Sequence, residues 1–170
     1  HIREANADEI LDMAKYKMRS DLIIDICDDL LKSASSHERE LQEMVARLVI
    51  SKMEQIEDMI NPRENHKYYF ILSKAYYISH DYRRSFTSIN EAIERKGDFR
   101  YLLIRSDIHL QNAENSLDDI ASPQTEDYGR LQIILQDCIR SADTSEEDLD
   151  NAKDLGLGFI DYTEKSNKIK

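Results

Sequence analysis

Apolar residues recur three or four positions apart along almost the whole chain, and very little interrupts them. Only four glycines and two prolines punctuate 170 residues. That spacing puts apolar side chains on one stripe of a helix, and no segment alternates as a half-buried strand would. Leu, Ile, Ala, Glu and Lys are frequent, which favours the same state. The expectation is an all-α chain of about 8–9 helices, packed as antiparallel pairs in a single domain over 1–170.

The stop signals define the segments. Residues 7–18 carry Ile10, Leu11, Ala14 and Met18 on one face, and 21–33 carry Leu22, Ile23, Ile26, Cys27, Leu30 and Leu31. Ser20 or Asp21 can cap the second stretch and make a hairpin; without Gly or Pro at the break, one long bent helix fits as well. Ser35 and Glu38 match a capping box that opens a helix to about Ile60. Its stripe, Leu41, Met44, Val45, Leu48, Val49, Met53, Ile56 and Ile60, is broad enough for a dimer seam or for packing on the first helices. Asn61-Pro62 stops it. These helices form an N-terminal part, 1–60. Two more helices, 64–79 and 82–96, meet at a turn made by His80 and Asp81. A further pair follows at 99–111 and 114–121, closed by Ser122-Pro123. The C-terminal part, 127–165, begins with a helix to about Arg140 bearing Leu131, Ile134, Leu135 and Cys138. Thr144 and Glu147 read as a capping box for a last helix with Leu149, Ala152, Leu155, Phe159 and Tyr162, weakened at Gly156 and Gly158. Residues 166–170 read as a loose tail.

Residues 69–97 carry the most specific pattern. Tyr69 holds a large position, followed by Leu72 and Ser73, then Tyr76. Ser85, Ile89 and Ala92 follow in the second helix, and Gly97 ends it. Small residues at 73, 85 and 92 let two helices approach closely, with Tyr69, Leu72, Tyr76, Ile89 and Ile93 as the bulk between them. This segment resembles one tetratricopeptide repeat. Residues 101–120 resemble a worn second repeat through Ile104, Arg105, Ile108 and Ser116, so the likeness covers 64–121. It implies a short right-handed superhelix that binds another protein or a peptide.

In that family the first helix of each repeat lines a concave surface. The resemblance therefore places Lys67, Phe70, Lys74, Tyr77 and Ile78 on a groove, joined by Phe99, Leu102, Ser106 and His109 of the second repeat. Basic and aromatic side chains there suit a peptide with acidic and apolar residues. The apolar members are equally placed to be covered by other helices of the domain. The two-carboxylate clamp of one subclass is broken, because Phe70 stands where the clamp has Lys and only Lys74 fits. Other members of the family imply alternatives: a peptide-sensing part of a larger bacterial regulator, or a secretion or assembly chaperone, which would be a homodimer.

Little points to chemistry. The histidines at 1, 37, 66, 80 and 109 form no metal-binding pair, and Cys27 and Cys138 are too far apart for a disulfide framework or metal spacing. No Gly-rich phosphate loop, nucleophile elbow or calcium loop is present. The expectation is no enzyme, no cofactor and no metal. A net charge of −11 opposes contact with phosphate backbones. No run of 18 apolar residues could span a membrane. Buried free thiols fit a reducing, cytoplasmic setting.

Overall fold

A computed structural model describes the backbone of residues 5–60, 65–121 and 128–156, and side chains over 18–60, 65–118 and 132–156. The described residues are all-α and contain no strand. They hold six α-helices rather than 8–9, because three expected pairs are single helices. The chain divides into two compact units, His1–Arg95 and Lys96–Lys170.

In the N-terminal unit, α1 runs Ala5–Ala34 without a break at Ser20. Ser20 is instead buried, in register with Ile24, Cys27, Leu31 and Ala34. This 4-3-4-3 spacing keeps one face inward over the whole stretch. The capping box at Ser35 is not formed. The Ser35 hydroxyl donates to the Lys32 carbonyl at 2.6 Å, closing α1 instead. Helix α2 starts later, at Arg39–Gln55, with Glu38 at its N-cap making no side-chain cap bond. Gln42 holds the turn by donating to the His37 carbonyl at 2.8 Å. A 3-10 turn, Glu57–Met59, follows α2, so the expected helix to Ile60 ends early. Ile56 and Ile60 still reach the core beside Ala46, Val49 and Met53. The expected stop at Asn61-Pro62 lies outside the described residues.

Helix α3, His66–Ile78, starts where Asn65 Oδ1 accepts from the Tyr68 amide at 3.2 Å. It is the central element of the unit, since Tyr68, Ile71, Leu72, Ser73, Ala75 and Tyr76 are all buried and α1, α2 and α4 all pack on it. Its C-terminus is a Schellman motif: Asp81 N–H donates to the Tyr76 carbonyl (2.9 Å) and His80 N–H to the Tyr77 carbonyl (3.1 Å). The reversal puts His80 at φ 64°, a left-handed position usually held by Gly. Asp81 Oδ1 then accepts from the Arg84 amide at 3.1 Å and opens α4, Tyr82–Arg95. Ser85, Ser88, Ile89 and Ala92 are its buried face. Across the α3–α4 contact the Ser73 hydroxyl donates to the Ser85 carbonyl, and the Ser85 hydroxyl to the Ser73 carbonyl, both at 2.9 Å. Such reciprocal bonds need helices in close contact, which small residues permit.

The C-terminal unit is an antiparallel pair, α5 (Phe99–Ala121) and α6 (Tyr128–Asp154). The expected break at 112–113 is absent: Ala113 is buried in a continuous helix. A second full repeat of two helices is therefore not formed over 99–121. The capping box at Thr144 is also absent. Thr144 lies mid-helix and its hydroxyl donates back to the Arg140 carbonyl at 2.8 Å. The pair is held at Ser106 and Ser145, Arg105 and Asp148, and Ala113 and Cys138. Helix α6 ends at Asp154, just before Gly156 at φ 110°. Gly158, Phe159, Tyr162, Ser122-Pro123, the 166–170 tail and the side chains of Ile10, Leu11, Ala14 and Leu131 lie outside the described residues.

Candidate functional site

The residues expected to line one groove fall on two units: Lys67, Phe70, Lys74, Tyr77 and Ile78 on α3, Phe99, Leu102, Ser106 and His109 on α5. Several are engaged within their own unit. Lys67 forms an ion pair with Asp25 of α1. Lys74, largely buried, pairs with Asp28 of α1 at 3.2 Å, and its ammonium lies 5.5 Å from the Phe70 ring centre. Lys32 takes the other oxygen of Asp28 at 2.6 Å. Burial pushes the Asp28 carboxyl up, but Lys32 and Lys74 together hold it below the usual carboxylate range. Phe70 and Ile78 are partly buried against the core. Tyr77 sits edge-on to Tyr82, ring centres 5.7 Å apart. In α5, Leu102 and Ser106 are buried and Ser106 bonds Ser145. His109 is half-buried; burial lowers its pKa, with Asp148 opposing and Arg105 adding to the fall.

A cleft of about 280 Å³ between α2, α3 and α4 is lined by Tyr68, Tyr69, Tyr76, Arg83 and Arg84. Its aromatic faces are met by the chain's own cations. Arg84 lies 5.6 Å from the Tyr76 ring centre and Arg95 4.3 Å from that of Tyr69. Tyr76 donates to Glu54 at 3.3 Å. Both thiols are free and buried, and burial pushes the Cys27 thiol up against the pull of Lys52. Among the described residues no group of His, Cys, Asp and Glu is arranged to hold a metal ion. No described helix is long and apolar enough to cross a membrane.

The feature that sequence reasoning missed is on α1. Met18, Leu22, Ile26 and Leu30 are exposed by 78, 59, 50 and 39%. They lie four residues apart, which on a helix makes one continuous stripe. The same helix turns Ser20, Ile24, Cys27, Leu31 and Ala34 inward, so it is apolar on two faces. On α2, Leu41, Met44 and Leu48 are likewise exposed while Ala46, Val49 and Met53 are buried. The sequence pools 22, 23, 26, 27, 30 and 31 as one core face; counting apolar residues around the helical wheel would have separated the two. Comparison with family models, with curated proteins and with solved structures finds no match.

Proposed function

We propose that the chain is a non-enzymatic protein-interaction domain whose binding surface is the exposed apolar stripe of α1, aided by that of α2. The observation that carries this reading is the row Met18, Leu22, Ile26 and Leu30, each at least 39% exposed. Scattered apolar side chains on a surface are ordinary, but a contiguous stripe is what partner helices bury. Met18 and Met44, the two most exposed of the set at 78 and 66%, are flexible and suit a surface that adapts to a ligand. The α3–α4 pair, with its small residues at 73, 85 and 92, supports a tetratricopeptide-like repeat as the scaffold. The lysines first placed in a groove serve a different role in this reading: Lys67 and Lys74 fasten α3 to α1 and fix the orientation of the stripe. Two buried free thiols favour a reducing compartment such as the cytoplasm.

The test is a partner isolated with the wild-type chain and rebuilt from purified components. Leu22→Asp with Ile26→Asp is expected to abolish binding while circular dichroism stays unchanged. Glu94→Ser, on the exposed surface of α4 away from both stripes, is expected to leave binding intact. Binding that survives the paired α1 changes overturns the reading.

A further inference from the structure

The charge beside the α1 stripe says what should lie on it. Asp21, Asp25 and Asp29 also recur every fourth residue, each one position before an apolar member or three after one. Residues three or four apart are neighbours on a helix surface, so the acidic row runs alongside the apolar row for its whole described length. These carboxylates face water: Asp25 is 58% exposed even with Lys67 against it, and Asp29 is 79% exposed beside Lys32. Between residues 18 and 34 the helix carries four aspartates against Arg19 and Lys32. Lys32 is already shared between Asp28 and Asp29.

Resting on the interaction reading above, the geometry points to one class of occupant: a basic amphipathic helix of another protein. Its apolar face covers Met18, Leu22, Ile26 and Leu30, and its flanking Lys or Arg residues meet Asp21, Asp25 and Asp29. Two features of the chain favour this occupant over a second copy of itself. Self-association would bring acidic rows of like charge together on a protein whose net charge is −11. The same surplus of negative charge draws a cationic partner by long-range attraction and speeds encounter. The acidic row also sets register, because a partner displaced along the stripe by a residue or two loses its charge pairs and turns its apolar face away.

A displayed peptide library tests this. Each member carries a fixed helical Leu stripe, with flanking positions drawn from Lys, Arg, Glu, Asp, Ser and Gln, and is selected on the immobilised 170-residue chain at low salt. The expected result is enrichment of Lys and Arg at the flanks. Enriched peptides should lose about tenfold in affinity on Asp21→Asn/Asp29→Asn, lose binding on Leu22→Ser/Ile26→Ser, and weaken as salt is raised. Enrichment of acidic or neutral flanks, still dependent on Leu22 and Ile26, overturns the basic partner and leaves the interaction surface standing. Enrichment that ignores Leu22 and Ile26 overturns both. A dimer in sedimentation that Leu22→Ser dissociates makes the occupant a second copy and also overturns the proposal. Circular dichroism of each variant confirms that α1 is intact.

Discussion

The α3–α4 and α5–α6 pairs use the same device in different surroundings. Each is joined by serines that face one another across the helix contact: Ser73 with Ser85, and Ser106 with Ser145. In each case a serine hydroxyl donates to the partner's backbone carbonyl at 2.9 Å. The α3–α4 pair, however, leans on a third and fourth helix, and its core includes Tyr68, Ile71, Val49 and Met53. Among the described residues of its unit the α5–α6 pair packs on itself, and it adds a buried ion pair. Arg105 grips Asp148 through two bonds of 2.8 and 2.6 Å, and Asp148 is 2% exposed. Small residues bring both pairs close. Both pairs bury apolar side chains, Tyr101, Ile108, Leu149 and Ala152 among those of α5 and α6; what the second pair adds is an ion pair with one carboxylate almost fully buried.

Breaking the ion pair separates the two most strongly. Asp148→Ala takes two hydrogen bonds and the carboxylate charge away from the partly buried Arg105 guanidinium, an expected loss of about 3 kcal/mol. Hydrogen exchange checks it by location: protection should fall along α5 and α6 and persist in α2 and α3. Replacing both members, Arg105→Met with Asp148→Leu, should recover most of the loss, because the desolvation cost of the charges disappears with them. If Asp148→Ala leaves α5 and α6 as protected as before, packing alone holds this pair too.

The serine contacts sharpen the likeness. Ser85→Ala and Ser145→Ala each remove one buried hydroxyl donor and should cost about 1 kcal/mol, measured by urea unfolding. Similar costs in both would mean the shared device contributes equally whatever surrounds it. A larger cost for Ser145→Ala would show that the α5–α6 pair depends more on each polar contact.

The same contrast explains how much the sequence disclosed. The α3–α4 pair was legible almost to the residue, because bulky and small residues alternate at fixed spacing and the His80-Asp81 turn carries its own cap. The α5–α6 pair was not. Asn112 and Thr144 look like breaks, yet Ser116 and Thr144 satisfy their hydroxyls on the carbonyl four residues back, and the helices run on. Ser106 and His109 read as groove residues because nothing local shows that Ser145 and Asp148, some forty residues later, pack against that stretch. On α1 the obstacle was different. A helix apolar on two faces gives a periodic signal that marks burial but not which face is buried.

The turn between α3 and α4 offers a smaller test, within the better-read pair. His80→Gly relieves the left-handed backbone, a gain of about 1 kcal/mol. It also removes the bonds of His80 to Arg39 and to the Tyr82 hydroxyl, each 2.7 Å. Those bonds are solvent-exposed, so a modest net rise in the unfolding midpoint is expected. A fall would mean that the histidine network holds the start of α2 to this turn more firmly than exposed polar contacts usually do.

Acid separates the units by the smallest effect, and the sign follows from the two kinds of group. His109 in the C-terminal unit has its pKa lowered from the ordinary 6.5, chiefly by burial. The unfolded chain therefore takes up its proton first, so stability is full above about pH 6.5 and falls as pH drops toward the folded-state value. Asp28 in the N-terminal unit has its carboxyl held below the ordinary 3.8 by Lys32 and Lys74 against the effect of burial. Its contribution is present above that pH and is lost only on further acidification. Hydrogen exchange at stepwise lower pH, corrected for intrinsic rates, should thus show α5 and α6 opening before the α1–α3 contact loosens. His109→Gln should remove the early step and leave the later one. An early step that persists in His109→Gln would place its cause in another group.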